Sequence, residues 1–483
     1  MALTLIDPNP QPPDPSSQTV TPPTPTTDSI ELPVGGDDPS QFDWREAWYP
    51  IAYLKDLDQK QLTPFTLLGQ DLVIWWDQPA QCWRVFEDQC PHRLARLSEG
   101  RIDEEGLLEC PYHGWAFSGS GNCEHIPQQV AGGSAEESRR ACVQTLPTAL
   151  RQGLLFAYPG QRERASLTPI PIVDPIEGAG DEWVILDGVR DMPYDILTLL
   201  ENVLDPSHLP YTHHRSVGNR NNAGPVELEV TEFGKQGFQG IWAEGPRRGT
   251  MGPQTTTFIA PGLMWHDLTS PQFGRTLTVV YATPIRKGEC RLFARFPFKF
   301  ASKLPAFLIS HAPVWSSHFG QNAILEDDQI FLHHQERYLE QTKDQQSVAK
   351  AFYLPTRADR FVLALHQWQQ RYQADPFPGE TLPPALSRNQ LLDRYYSHTV
   401  HCKSCRQALQ RIKRLRQGLI SLACLAWGIT PILAFGFGGV SLPIAIATTS
   451  LVFAATTAWW GLRRLEQRFY IGRTIPPRNH PDK

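Results

Sequence analysis

Cysteine is scarce in this chain, at nine residues in 483, which argues against the disulfide framework of a small secreted domain. Basic residues are missing before Arg45, so neither a secretory signal nor an Arg-rich organelle transit peptide is expected at the start. No Gly-x-Gly-x-x-Gly follows a predicted strand, which excludes a built-in dinucleotide or flavin reductase module. The net charge of −5 holds no basic excess, and no nucleic-acid partner is expected. Apolar periodicity is nearly absent from residues 1–43, a stretch of Pro, Thr, Ser and Asp. Such a stretch cannot bury enough surface to offset chain entropy, so disorder is expected there. Charge vanishes altogether from two later runs, Gly418 to Phe435 and Val440 to Leu462.

What the chain does hold is two short boxes, Cys90-Pro91-His92-Arg93 and Cys110-Pro111-Tyr112-His113-Gly114-Trp115, with seventeen residues between His92 and Cys110. Each pairs a thiolate with an imidazole. Together they offer the ligand set of a Rieske [2Fe–2S] centre, two Cys on one iron and two His on the other. A structural zinc site would instead pair Cys with Cys and His with His. Neither box contains a spare Cys, and the pair resembles the lower-potential, ferredoxin-type Rieske domain of oxygenases rather than the disulfide-bearing one of cytochrome complexes. Cys90, His92, Cys110 and His113 are the expected cluster ligands.

A receiver for the electrons is expected about ninety residues on, in Asn202-Val203-Leu204-Asp205-Pro206-Ser207-His208-Leu209-Pro210-Tyr211-Thr212-His213. Ferrous iron in oxygenases takes two His and one carboxylate on one face, which leaves the other face open to O₂ and substrate. His208 and His213 suit that role. Asp205 is too close in sequence to be the carboxylate and suits a supporting position, accepting the second N–H of a ligand imidazole.

The order of a Rieske box followed by Asn-x-x-Asp-x-x-His-x-x-x-x-His resembles the Rieske non-haem iron oxygenases. Within them the Asp-Pro-Ser-His-Leu-Pro-Tyr-Thr-His wording, a late Cys-x-x-Cys and a hydrophobic tail are most similar to the pheophorbide a oxygenase group, from about Trp44 to Leu462. That group also holds protochlorophyllide-type oxygenases, a chloroplast-import component and lethal-leaf-spot proteins. The resemblance implies one [2Fe–2S] cluster, one mononuclear Fe(II), and a third iron ligand at Asp328 with Asp327 as the register alternative. It implies a homotrimer in which electrons cross between subunits through Asp205, and an apolar substrate of the chlorophyll-type tetrapyrrole class. A sterol or carotenoid-like lipid is the competing substrate, and a redox-sensing or translocon-associated protein without turnover the competing function. Electrons must come from a separate protein, for which ferredoxin is the natural donor. Arg93, Arg96 and Arg101 around the first box, with Arg139 and Arg140 further on, offer an acidic donor a basic docking face.

The expected fold class is α+β. An all-β Rieske domain spans 44–160 and an antiparallel-sheet catalytic domain with helices spans 161–345. A helical segment with the Cys-x-x-Cys follows over 346–410, a transmembrane hairpin anchor over 411–470 and a tail over 471–483. A hairpin is predicted around Gly69-Gln70, and strands at 276–283 and 290–296. At about 1.5 Å per residue the two uncharged runs each reach roughly the 30 Å of a bilayer core. Arg411, Lys413, Arg414 and Arg416 precede them and Arg463, Arg464 and Arg468 follow, which predicts both ends on the cytoplasmic side. The catalytic body is then expected at the cytoplasmic face of a thylakoid or plasma membrane, in a photosynthetic bacterium. Cys402 and Cys405, a lone Cys-x-x-Cys without partners for a four-ligand zinc site, read as a reversible dithiol near that surface and a possible thioredoxin target.

Overall fold

The computed structural model describes residues 40–178, 182–270, 274–342, 351–436 and 438–481. The disorder expected for 1–39 lies outside the described residues. Ser40 to Asp43, expected to share it, are ordered: Phe42 is buried, and its ring meets Trp368 edge-on at 5.2 Å. The chain divides into two compact units, Met1–His311 with Phe331–Ala385 and Ala312–Ile330 with Leu386–Lys483.

The first unit opens with small antiparallel sheets. Strand β1 (Tyr49–Tyr53) precedes β2 (Thr63–Leu67), β3 (Gln70–Asp77) and β4 (Cys82–Glu87). The very short β5 (Arg101–Ile102), β6 (Leu108–Glu109), β7 (Ala116–Phe117) and β8 (Cys123–His125) form a second sheet. Then β9 (Thr145–Leu146) joins β4, while β10 (Thr148–Arg151) and β11 (Leu154–Ala157) join β1. The predicted hairpin exists, with its turn one residue earlier than expected, at Leu68-Gly69. Both residues take positive φ, +50° and +77°, as a tight two-residue hairpin turn demands. Leu68 bears that strain because its N–H and that of Gly69 donate to the carbonyls of Pro284 and Ile285.

A seven-stranded antiparallel sheet follows. It comprises β12 (Val184–Met192), β13 (Leu228–Gly234), β14 (Gly237–Trp242), β15 (Gln254–Ile259), β16 (Leu263–Ser270), β17 (Gly274–Arg286) and β18 (Glu289–Lys299), in the order β12-β18-β17-β16-β15-β14-β13. The two strands predicted for this region lie inside β17 and β18, which pair with each other. Helix α1 (Ile196–Leu204) buries Ile196, Leu199, Leu200 and Leu204, a 3.6-residue stripe that packs on β17. The one-turn helix α2 (Leu209–Thr212) follows it, and the long α3 (Val314–Thr342) comes after the sheet. Helix α4 (Arg360–Arg371) covers the far end of the sheet. Gly240 is required there, because a Cβ on it would stand 2.2 Å from the Phe361 ring. Hence part of the helical segment expected after residue 345 belongs with the sheet.

The second unit holds the first half of α3, a π-helical turn (Tyr395–Thr399), α5 (Lys403–Gly436) and α6 (Leu442–Gln467). Glu326 on α3 receives a bidentate pair from buried Arg394, at 2.5 and 2.7 Å. Past α6 the chain folds back, with the Gly472 N–H donating to the Leu392 carbonyl and the Thr399 hydroxyl to that of Phe469, both at 2.8 Å. α5 and α6 pack on each other yet turn most of their apolar side chains outward. Only 11% and 6% of their most apolar windows are buried, and Trp427, Phe435 and Phe453 stand exposed. The hairpin core of a soluble protein would bury these side chains. By length and composition both helices could cross a membrane.

Candidate metal centres

The two cluster boxes fold into matching loops. In each, the Cys N–H donates to the carbonyl five residues on (Cys90 to Ala95 at 2.9 Å, Cys110 to Trp115 at 2.8 Å). The N–H four residues on returns to the Cys carbonyl, from Leu94 at 2.9 Å and from Gly114 at 3.1 Å. Closing so tight a loop puts that fourth residue in the left-handed region, at φ +60° for Leu94 and +71° for Gly114. A Cβ on Gly114 would also meet Pro127 at 3.1 Å. The loops sort their donors by environment. Cys90 and Cys110 are buried in an apolar cluster with Val73, Trp75, Phe86, Leu108 and Phe117, whereas His92 and His113 stand at the tip, their rings 4.7 Å apart. Trp115 stacks on His92 at 4.6 Å, fixing its plane.

Burial pushes the Cys90 thiol up to about 12, and the adjoining Cys110 adds to this, while backbone N–H groups of His92 and Arg93 aimed at its sulfur work the other way. Desolvation holds His113 below its ordinary value, with His92 and Arg93 beside it, which favours the neutral, ligating imidazole. Buried sulfurs, that of Cys90 cradled by amides, with paired imidazoles at the surface, fit a Rieske cluster. Behind the first loop Asp88 accepts from the Ser98 N–H and hydroxyl, both at 2.6 Å, and from Arg96 at 2.9 Å. The basic face is thinner than the sequence suggests. Arg96 is tied to Asp88, and Arg101 grips Glu109 with two bonds and Glu104 with a third. Arg93, Arg139 and Arg140 remain exposed.

The second constellation is built where α1 ends. Asp205 leaves the helix in extended conformation and its carboxylate receives the Ser207 N–H at 2.7 Å and hydroxyl at 2.5 Å. The resulting 3₁₀ turn, Pro206–His208, and α2 bring the His208 and His213 rings to 5.3 Å, nearly perpendicular. His208 Nδ1 lies 2.5 Å from the Asp205 backbone carbonyl and 3.7 Å from its carboxylate. The nearer acceptor is therefore the main chain, not the side chain expected from sequence. Either way the proton sits on Nδ1, leaving the Nε2 lone pair for a metal.

Sequence reading missed His266. From β16 its Nε2–H donates to the carbonyl of Val203 in the last turn of α1, at 3.0 Å, and its Nδ1 accepts from Thr256 at 2.8 Å. Desolvation pushes it down to about 4, against the Val203 bond and with His208 nearby, so it is a neutral clamp on the helix end. A lone His in a strand carries no signal for that role. Asp327 and Asp328 are both buried on α3; since Glu326 is committed to Arg394, these two remain the candidate carboxylates. Beside α2 opens a pocket of about 390 Å³ lined by Leu209, Tyr211, Val217 and Trp242, with Arg247 and Arg248 among its polar residues.

Cys402 and Cys405 depart most from the sequence reading. They are buried in the protein, and they do not lack partners: His318 and His398 join them.

Fold and donor sets together define a Rieske non-haem iron oxygenase, which draws electrons from a donor and uses O₂ on a small molecule. A Rieske [2Fe-2S] domain matches residues 47–147, and the pheophorbide a oxygenase family matches residues 258–346. The chain belongs to the pheophorbide a oxygenase family. It is 36% identical to the chloroplastic pheophorbide a oxygenase of Arabidopsis thaliana, over 93% of this chain and 88% of that one. Flavonoid 8-hydroxylase 2 of Ocimum basilicum is 34% identical over 79% and 77%. Among solved structures, dicamba monooxygenase bound to dicamba shares the fold at a TM-score of 0.55, with 21% identity over 69% of this chain and 98% of that one.

Proposed function

We propose that this protein is a membrane-anchored, ferredoxin-dependent oxygenase that oxygenates a chlorophyll-type tetrapyrrole. The observation that carries the reading is the sorting of donors in one chain: buried Cys90 and Cys110 with surface His92 and His113, and a separate His208–His213 pair in which the tautomer of His208 is preset. When bound, the cluster supplies single electrons and the mononuclear iron the means to activate O₂. The chain's own residues do the rest. His208 keeps its proton on Nδ1 against the Asp205 carbonyl, and Ser207 and His266 hold the turn that carries it.

Asp328 is the proposed third ligand. Its support is its burial on α3 and the resemblance of its segment to the Asp-containing helix of the family. Asp205 is the proposed bridge to a neighbouring subunit's cluster in a trimer. The mostly apolar pocket, whose charged residues are Arg247, Arg248 and Glu244, suits an apolar substrate with a polar edge. The relatives are described as chloroplastic, which supports a photosynthetic membrane rather than a bacterial plasma membrane, with α5 and α6 as the anchor.

The test is full-length protein purified anaerobically in detergent, supplied with reduced ferredoxin and ¹⁸O₂. Pheophorbide, chlorophyllide, protochlorophyllide, a flavonoid, a sterol and a carotenoid are offered, and products are read by mass spectrometry. Labelled oxygen in a tetrapyrrole is expected. Label only in the flavonoid or a lipid would overturn the substrate, and no substrate-dependent O₂ uptake with both iron centres loaded would favour a redox sensor.

A further inference from the structure

We propose that His318, His398, Cys402 and Cys405 bind a zinc ion, a third metal centre distinct from the two iron sites. All four belong to the second unit, and their donor atoms lie within 4.8 Å of one another. The individual separations are those of ligands around one ion. Cys405 Sγ lies 3.3 Å from His318 Nδ1 and 3.2 Å from His398 Nε2, and Cys402 Sγ lies 3.5 Å from His318 Nδ1. A tetrahedron with metal–nitrogen bonds of about 2.0 Å and metal–sulfur bonds of about 2.3 Å has edges of about 3.3–3.8 Å. A two-iron cluster is excluded on the same ground, because it holds its sulfur pair and its imidazole pair on different irons and hence further apart.

Burial and charge agree with zinc. The four residues are only 1–3% exposed. Zn²⁺ with two thiolates and two neutral imidazoles has no net charge, the condition for burying an ion without a further partner. Loading is balanced by release of the two thiol protons and involves no change of oxidation state. A tetrahedral S₂N₂ set selects zinc over hard cations.

The fold prepares the site from three directions. His318 comes from α3, His398 from the π-helical turn, Cys402 from the residue before α5 and Cys405 from its first turn, and the Cys402 N–H donates to the His398 carbonyl at 3.1 Å. π-Turns recur at functional sites because they displace one side chain out of helical register. Along the same face of α3 the Glu326–Arg394 pair and a hydrogen bond from Gln329 to the Leu391 carbonyl fasten the next turns. The ion would thus close a loop of eighty residues, from 318 to 398, at the root of the apolar helix pair.

The test uses tag-free, full-length protein in detergent. Zinc and iron are counted by mass spectrometry, and the zinc K-edge X-ray absorption is recorded, which iron does not obscure. One zinc per chain is expected, with two sulfur and two nitrogen neighbours. Cys402→Ser should lose at least 80% of the zinc while the Rieske EPR signal persists. His398→Cys, which keeps four ligands, should retain it, as should the control Cys424→Ser at an exposed Cys. Should the site variants fail to fold, wild-type stoichiometry and absorption decide the matter alone. Less than about 0.2 zinc per chain in iron-replete wild type, zinc without sulfur neighbours, or a native Cys402–Cys405 disulfide reduced by thioredoxin would overturn the site. The last result would restore the pair as a redox switch.

Discussion

Glu336 offers the sharpest quantitative test of this fold. It sits in the second half of α3, accepts the Asp195 N–H at 3.0 Å, and faces Asp195, Lys287, Arg337 and Cys290. Burial raises its pKa to about 9, with the Asp195 charge adding to this and Lys287 opposing it. The unfolded chain releases this proton near the ordinary carboxyl value of about 4.3. Between those limits the folded state holds a proton that the unfolded state has lost, so stability is fully present below the lower limit and falls as pH rises toward 9. The slope for one proton is about 1.4 kcal/mol per pH unit. From pH 6 to 8 the loss is about 3 kcal/mol, or roughly 3 °C in Tm at about 1 °C per kcal/mol, from an unfolding entropy of about 2 cal/mol/K per residue over 483 residues. Glu336→Gln mimics the protonated carboxyl and should remove this part of the slope. Thermal unfolding by tryptophan fluorescence, at one scan rate and at pH 6, 7 and 8, measures the difference between the two proteins. Parallel slopes, or a variant less stable than wild type at pH 8, would refute a protonated Glu336.

Four other substitutions probe the iron centres. His113→Ala should abolish the Rieske EPR signal and leave mononuclear iron loaded, while His208→Ala does the reverse; loss of both centres from a folded variant would undo the division of ligands. Asp205→Asn should keep both irons yet slow single-turnover reduction of the mononuclear site at least tenfold, as stopped-flow oxidation of the cluster would record. Gly114→Ala should destabilise the cluster loop by about 1–2 kcal/mol, the cost of a side chain in the left-handed region, seen as a lower melting temperature with the EPR line positions unchanged.

Local chain geometry explains what was legible in sequence. Cys90 and His92 lie two residues apart, Cys110 and His113 three, and His208 and His213 five, so a single loop or turn brings each pair together whatever the rest of the chain does. The strands β17 and β18 were readable for a similar reason, since alternation and a short turn act over a few residues. Tertiary packing decided the remainder. Leu68 takes a positive φ because its amide meets a carbonyl more than two hundred residues away. His266 acquires its role from Val203, sixty-three residues earlier. Cys402 and Cys405 looked alone because their companion His318 lies more than eighty residues upstream and His398 carries no motif. Donor type and short spacing can be read from sequence because covalent connection enforces proximity, whereas burial and distant partners arise only when separate segments pack.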